Sequence, residues 1–184
     1  MLKISFVAIS LIIAGAACTA RQTQESAPTY PQAWKTTLSQ DHPLVGKIWS
    51  PEQDAFVTQD ALLRSMRNAD FVFLGEKHDN PDHHLLQAWL VERFAALDRR
   101  PAVVFEMIGE ERQDDIDDFL AGRPKDAAAF GTRLAWDKSG WPAWQDYQPI
   151  ADAALKYGLP LVAGNLPRRD VRKLGRNGLT VLPA

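Results

Sequence analysis

The apolar residues of the chain form three short, nearly continuous runs, at residues 71–74, 101–105 and 159–163. Because the runs do not alternate with polar residues, they predict strands that are buried on both faces. Segments with apolar residues at helical spacing lie between them. Strands joined by long helical crossovers pair in parallel. The pattern therefore predicts an α/β fold, with a parallel β-sheet flanked by helices.

Capping and stop signals place the helices. Asn80 followed by Pro81 combines a capping side chain with a ring already set at helical φ, which predicts a helix start. Residues 127–144 contain three tryptophans together with glycines and a proline that interrupt any long helix, and they predict an insertion over the sheet edge or part of a lid. The helices predicted from these signals cover residues 58–68, 81–97, 110–121 and 148–157, and a basic helix begins at residue 167.

The N-terminus has the pattern of a secretory signal peptide. Lys3 precedes an apolar core, which ends in small residues just before Cys18. The core is too short to be a transmembrane helix. Cys18 is the only cysteine and lies where bacterial lipoproteins carry their lipid, although Gly15 stands where the lipid-attachment motif usually has leucine. Ordinary signal-peptidase cleavage after Ala16 remains the alternative.

Composition limits the partners and the number of domains. The 184 residues are 46% hydrophobic and 24% charged, which is enough for one globular domain with a core. A net charge of -2 without a long basic run gives no reason to expect nucleic acid as a partner. We expect a signal peptide at residues 1–17, a lipid-anchored tether at 18–42 and the α/β domain at 43–184.

Polar side chains follow each apolar run. Glu76 and His78 come after the first run, Glu106 ends the second and Asn165 follows the third. The carboxyl ends of parallel strands meet at one edge of a sheet, and open α/β sheets bind ligands there. The sequence therefore predicts that these four residues converge on one crevice.

Two adjacent histidines lie in the helix that follows the first run. At about 100° per residue, His83 falls within the stripe of the helix's large apolar residues. We therefore expect His83 to support the site from beneath. His84 falls on a flank of the same helix, and we interpret it as a bystander.

Three chemistries remain open for this crevice. A carboxylate could orient His78 as a general base for hydrolysis. Glu76, His78 and Glu106, with His83 or His84, could hold a divalent metal. A histidine or tyrosine could be the axial ligand of haem iron, beneath the tryptophans. The sequence has no H-E-x-x-H, C-x-x-C-H, G-x-S-x-G or phosphate-loop motif.

Four segments carry a resemblance to a known family, and they occur in the expected order: Gly75–Gln87, Phe105–Met107, Trp141–Ile150 and Gly164–Arg169. The first segment is long enough to be specific. Together they resemble the ChaN family of haem-binding bacterial lipoproteins. That family is similar to a wider group that contains Tiki metalloproteases, TraB proteins and erythromycin esterases.

The resemblance implies an α/β domain with a small helical, Trp-rich subdomain and an outer-membrane lipid anchor. It also implies haem bound between the protomers of a homodimer, and a role in iron or haem acquisition. In the esterase and protease relatives the Gly-Glu-x-His motif is catalytic, so a metal- or His-dependent esterase or peptidase remains the alternative. Its matching positions are Glu76, His78 and Glu106. Family members continue beyond the last motif, so we expect the domain to be incomplete at its C-terminus. The expected haem-binding residues are His78, His83, Tyr147, Asn165 and Arg168.

Overall fold

A computed structural model describes residues 33–97, 99–124 and 126–181. The predicted signal peptide, Cys18 and the first part of the predicted tether lie outside these residues. No helix in the described ranges combines the length and the apolar character needed to cross a bilayer. The elements are β1 (Ile48–Ser50), β2 (Ala55–Val57), α1 (Gln59–Met66), α2 (Pro81–Ala96), β3 (Val103–Gly109), α3 (Gln113–Ala121), α4 (Ala127–Arg133), α5 (Trp144–Lys156), β4 (Leu161–Asn165) and α6 (Arg168–Asn177).

Strands β3 and β4 pair in parallel, with Val103 opposite Leu161 and Phe105 opposite Ala163. Strands β1 and β2 form a separate antiparallel hairpin. Helices α2 and α5 pack against each other. Side chains from β3, β4, α2, α3, α4 and α5 share one hydrophobic core. The predicted α/β fold, with a parallel sheet flanked by helices, is thereby confirmed.

The tryptophan-rich region forms α4 and the short 3-10 helix Trp136–Lys138, which pack against each other. The indoles of Trp136 and Trp144 are buried, and their N–H groups donate to the carbonyls of Pro142 and Ala127. A buried indole needs such a partner for its N–H. These two tryptophans therefore belong to the core rather than to a ligand surface.

The capping signals predict the helix starts correctly in two cases. The Thr58 hydroxyl accepts the N–H of Ala61 at the start of α1, and the Asn80 side chain accepts the N–H of Asp82 at the start of α2. Helix α5 begins earlier than predicted, at Trp144, so that Pro149 lies inside it.

The first predicted strand is wrong. Residues 71–74 form no strand, and the side chains of Phe71 and Phe73 are 81% and 92% exposed. The second run, which forms β3, is buried on one face only: Phe105 is buried, whereas Val104 is largely exposed. An apolar run indicates that a segment could form a buried strand, but its burial also requires a neighbouring element that packs against it. Within the described residues no such element covers Phe71 and Phe73.

The N-terminal segment is fixed to the start of α2. The buried carboxylate of Asp82 accepts the backbone N–H groups of Lys35 and Thr36, at 2.7 and 2.9 Å. Burial opposes ionisation of Asp82, yet the hydrogen bonds from Thr36 and Lys35 keep its pKa below the usual value. At least this part of the predicted tether is therefore docked on the domain.

We expect Gly131→Ala to destabilise the protein, because a Cβ there would lie 2.5 Å from Cδ1 of the buried Trp144 ring. Overpacking of this kind costs about 1–3 kcal/mol. Gly175→Ala is the matched control: a Cβ there meets nothing within 4 Å, and the helix gains up to about 1 kcal/mol. Urea unfolding measures both effects. Equal stability of Gly131→Ala and wild type would contradict this packing.

Candidate functional site

The carboxylate of Glu76 is the centre of the site, and its side chain is only 7% exposed. Its Oε1 accepts hydrogen bonds from Nδ1 of His78 at 2.7 Å and from the Tyr147 hydroxyl at 3.1 Å. Its Oε2 contacts Nε2 of His84. One carboxylate thus gathers three side chains.

Three parts of the chain supply this cluster. Glu76 and His78 lie in the turn before α2, His84 lies in the first turns of α2, and Tyr147 lies in α5. The packing of α2 against α5 brings His84 and Tyr147 together, with ring centroids 4.1 Å apart. The amide of Gln87 donates to the carbonyl of Leu74 and so ties the chain just before the turn to α2.

The predicted roles of His83 and His84 are wrong, because the two are exchanged. His84 is 0% exposed and contacts Glu76, whereas His83 is only half-buried and its Nδ1 accepts the N–H of Lys77 at 2.8 Å. His83 closes the turn and does not support the site from beneath. The buried face of α2 carries small residues as well as large ones, and Ala88, one turn after His84, belongs to the core. A stripe drawn through the large apolar residues alone misses that face.

Burial shifts the pKa values of His84 and Tyr147, the two fully buried rings of the cluster. Burial lowers the pKa of His84, and the nearby charge of Glu76 only partly opposes this effect. Burial and the Glu76 charge both raise the pKa of Tyr147 above its usual range. At neutral pH the site therefore contains a neutral His84 and a protonated Tyr147.

His78 is the outward-facing member of the cluster, with 44% of its side chain exposed. Its Nδ1 is held by Glu76, and no contact within the described ranges occupies its Nε2. The Trp141 ring and the imidazole pack in a T-shaped arrangement, with centroids 4.8 Å apart. Trp141 is itself fixed by a hydrogen bond from its indole N–H to the carbonyl of Met107. His78 therefore presents a fixed ring with one free nitrogen.

Trp141, which packs against His78, also forms part of the wall of a cleft of about 280 Å³, although His78 itself does not line that cleft. Asn165 and Arg168, both predicted to bind the cofactor, also line the cleft. The Asn165 amide donates to the carbonyl of Glu106, and the Arg168 guanidinium donates to the carbonyl of Ser139. The structure thus brings Asn165 and Arg168 to the same side of the molecule as Trp141.

Glu106 does not join the Glu76 cluster directly. It lies within β3 rather than at its end, and its side chain is exposed. In the described part of the chain, no group of three or more His, Cys, Asp or Glu side chains could hold a metal ion. The structure therefore does not assemble Glu76, His78 and Glu106 into the metal site that the sequence left open.

The site can be compared with known proteins once its geometry is defined. A family profile described as haem-binding uptake, Tiki superfamily, ChaN matches residues 62–184. The match covers more than half of the chain, so the protein belongs to this family, and the resemblance seen in its motifs is confirmed. A comparison with curated proteins found no match.

Among solved structures, the chain is similar to ChaN of Campylobacter jejuni, whose structure is described as showing cofacial haem binding. The TM-score is 0.62 at 20% sequence identity, which supports the shared fold. The alignment covers 75% of this chain and 54% of the Campylobacter chain, so the present chain spans about half the length of that protein.

We expect the free energy of unfolding to fall as the pH drops from about 8 to 5, in part because of His84. Its folded-state pKa lies below the unfolded value of 6.5. Between these two pKa values His84 binds a proton in the unfolded chain but not in the folded chain. His84 therefore contributes stability above pH 6.5 that is lost as the pH falls toward the folded-state pKa. Urea unfolding at several pH values measures how the free energy of unfolding changes with pH.

His84→Gln is the comparison, because glutamine cannot titrate in this range. Its free energy of unfolding should depend less on pH in this window than that of wild type. Equal slopes in the two proteins would show that the pKa of His84 is not lowered.

Proposed function

We propose that the protein binds haem and that His78 is the residue of this chain that contacts it. The observation that carries the proposal is the geometry of His78: Glu76 holds Nδ1, and Nε2 is free beside Trp141. A carboxylate that holds one imidazole nitrogen and leaves the other for a ligand is the usual arrangement around metal-binding histidines. Membership of a haem-binding family supports the same reading.

The residues that line the cleft next to Trp141 fit this ligand. Haem combines an apolar macrocycle with two carboxylates, and the structure offers the Trp141 ring and the exposed Arg168 guanidinium within one cleft. Arginine pairs well with carboxylates. Tyr147 does not fit a ligand role, because it is fully buried, protonated and hydrogen-bonded to Glu76. The haem itself would supply the redox-active iron.

The size of the cleft bears on the oligomeric state. At about 280 Å³ it lies at the lower limit of the range of about 300–1,000 Å³ found for small-molecule pockets, which agrees with a haem that two protomers cover together. We assign the remaining cover to a second copy, in a homodimer. We also assign export, an anchor at Cys18 in the outer membrane and a role in haem or iron acquisition. The N-terminal sequence pattern and the family's description as an uptake family support this assignment, and fatty-acid labelling of Cys18 tests the anchor.

Hemin titration of His78→Ala tests the proposal. Loss of a direct contact should weaken binding at least about tenfold relative to wild type, or about 1.4 kcal/mol. If Nε2 ligates the iron, the position of the Soret band should change as well. If it binds a propionate, only the affinity should change. His42→Ala is the control, because His42 is exposed and does not line the cleft.

Unchanged hemin affinity in His78→Ala would contradict the role of His78. Failure of the wild-type protein to bind hemin at all would contradict the proposed function itself.

Hydrolysis is the second candidate, and the 2.7 Å contact between Glu76 and His78 favours it. A histidine oriented by a carboxylate is the arrangement that a general base requires. We expect aryl-ester turnover by the haem-free protein to fall at least about 100-fold in His78→Ala, since general bases contribute about 100- to 10,000-fold. Turnover should also persist in a chelator, because the described residues assemble no metal site. Equal turnover in wild type and variant would eliminate this candidate.

A further inference from the structure

The inner side of the Glu76 carboxylate is occupied by a histidine that the haem proposal does not use. His84 is completely buried, and its Nε2 contacts Oε2 of Glu76. Apart from this contact, neither atom has a hydrogen-bond partner among the described residues. Such a pair of buried polar atoms must satisfy each other, since each would otherwise be desolvated without compensation.

We propose that His84 is a positioning residue, which fixes the Glu76 carboxylate so that Glu76 holds His78 in one tautomer, with the proton on Nδ1 and the lone pair on Nε2. The inference deepens the proposed function, because it explains how the free nitrogen of His78 is presented to a ligand. Its central test does not require haem.

The tautomer of His84 follows from its surroundings. With the proton on Nε2, the ring donates to Oε2 of Glu76, and only an acceptor, Nδ1, is left without a partner. With the proton on Nδ1, a buried donor would be left without a partner, and the Nε2 lone pair would face the carboxylate. The first arrangement satisfies more groups, so His84 is an Nε2–H donor to Glu76.

The contact with His84 is needed to orient the Glu76 carboxylate, because the backbone at Glu76 is not held by a helix or a strand. Glu76 lies outside any helix or strand. Oε1 receives the donors of His78 and Tyr147, and among the described residues only His84 restrains Oε2. Without that restraint the carboxylate can rotate, so that Nδ1 of His78 loses a fixed acceptor and both neutral tautomers of its ring become populated.

The core makes His84 a rigid support. Its ring packs against Tyr147, with centroids 4.1 Å apart, and the Tyr147 ring packs in turn against Trp136 at 5.0 Å. All three rings are buried. The orientation of the exposed His78 is therefore linked through Glu76 to the packing of α2 against α5.

The test compares two substitutions of similar size in the haem-free protein. Glutamine in His84→Gln can place an amide N–H where His84 has Nε2–H, whereas methionine in His84→Met has no donor. Nitrogen-15 NMR of the imidazole rings reports the tautomer of each histidine. In wild type and His84→Gln we expect His78 to carry its proton on Nδ1, and in His84→Met we expect a mixture of both tautomers. Loss of packing alone would not be rescued selectively by an amide donor.

Two results would overturn the inference: an unchanged His78 tautomer in folded His84→Met, or a wild-type His84 ring protonated on Nδ1. The second result is read from wild type, so the inference is testable even if His84→Met fails to fold. Near-ultraviolet circular dichroism checks the fold of each variant.

Hemin titration of the same proteins separates this inference from the proposed function. We expect His84→Met to bind hemin about 10- to 100-fold more weakly than wild type, the range typical of residues that orient a ligand, and His84→Gln to bind within a few-fold of wild type. If wild type binds no hemin while His78 shows the expected tautomers, the proposed function fails and the positioning role stands.

Discussion

The structure depends on the burial of one carboxylate. Glu76 is held inside the protein by three side chains, which come from two helices and a turn. Each of them contacts the Glu76 carboxylate through a polar atom. Burying a charge is costly unless hydrogen bonds compensate for it. The packing of α2 against α5 is therefore also the means by which the charge is accommodated, and the fold cannot be separated from the site.

This arrangement divides the cluster into an inner and an outer half. His84 and Tyr147 are buried and joined to the aromatic core, whereas His78 reaches solvent beside Trp141. Residues that contact a ligand must be accessible, but their orientation is best fixed by groups that are not. The inner half supplies rigidity, and the outer half supplies the free nitrogen.

The sequence predicts much of this from local signals. The Thr58 and Asn80 caps, the parallel pairing of strands and the importance of the Glu76 turn all follow from residue type and spacing. The errors have a common origin. Residues 71–74 have strand character, but no element among the described residues covers them. His84 falls on a flank of α2 only when the large residues alone define the buried face. Both depend on which element packs against which, and local pattern does not carry that information.

The contact between Asp82 and the backbone of Lys35 and Thr36 also sets a direction. It fixes the point at which the N-terminal segment meets the domain, and that point adjoins Asn80, two residues from His78. A chain held to a surface through its N-terminus would therefore be joined to the domain at a point close in sequence to His78. Access to His78 would then depend on the length of the segment before Lys35 as well as on the shape of the cleft.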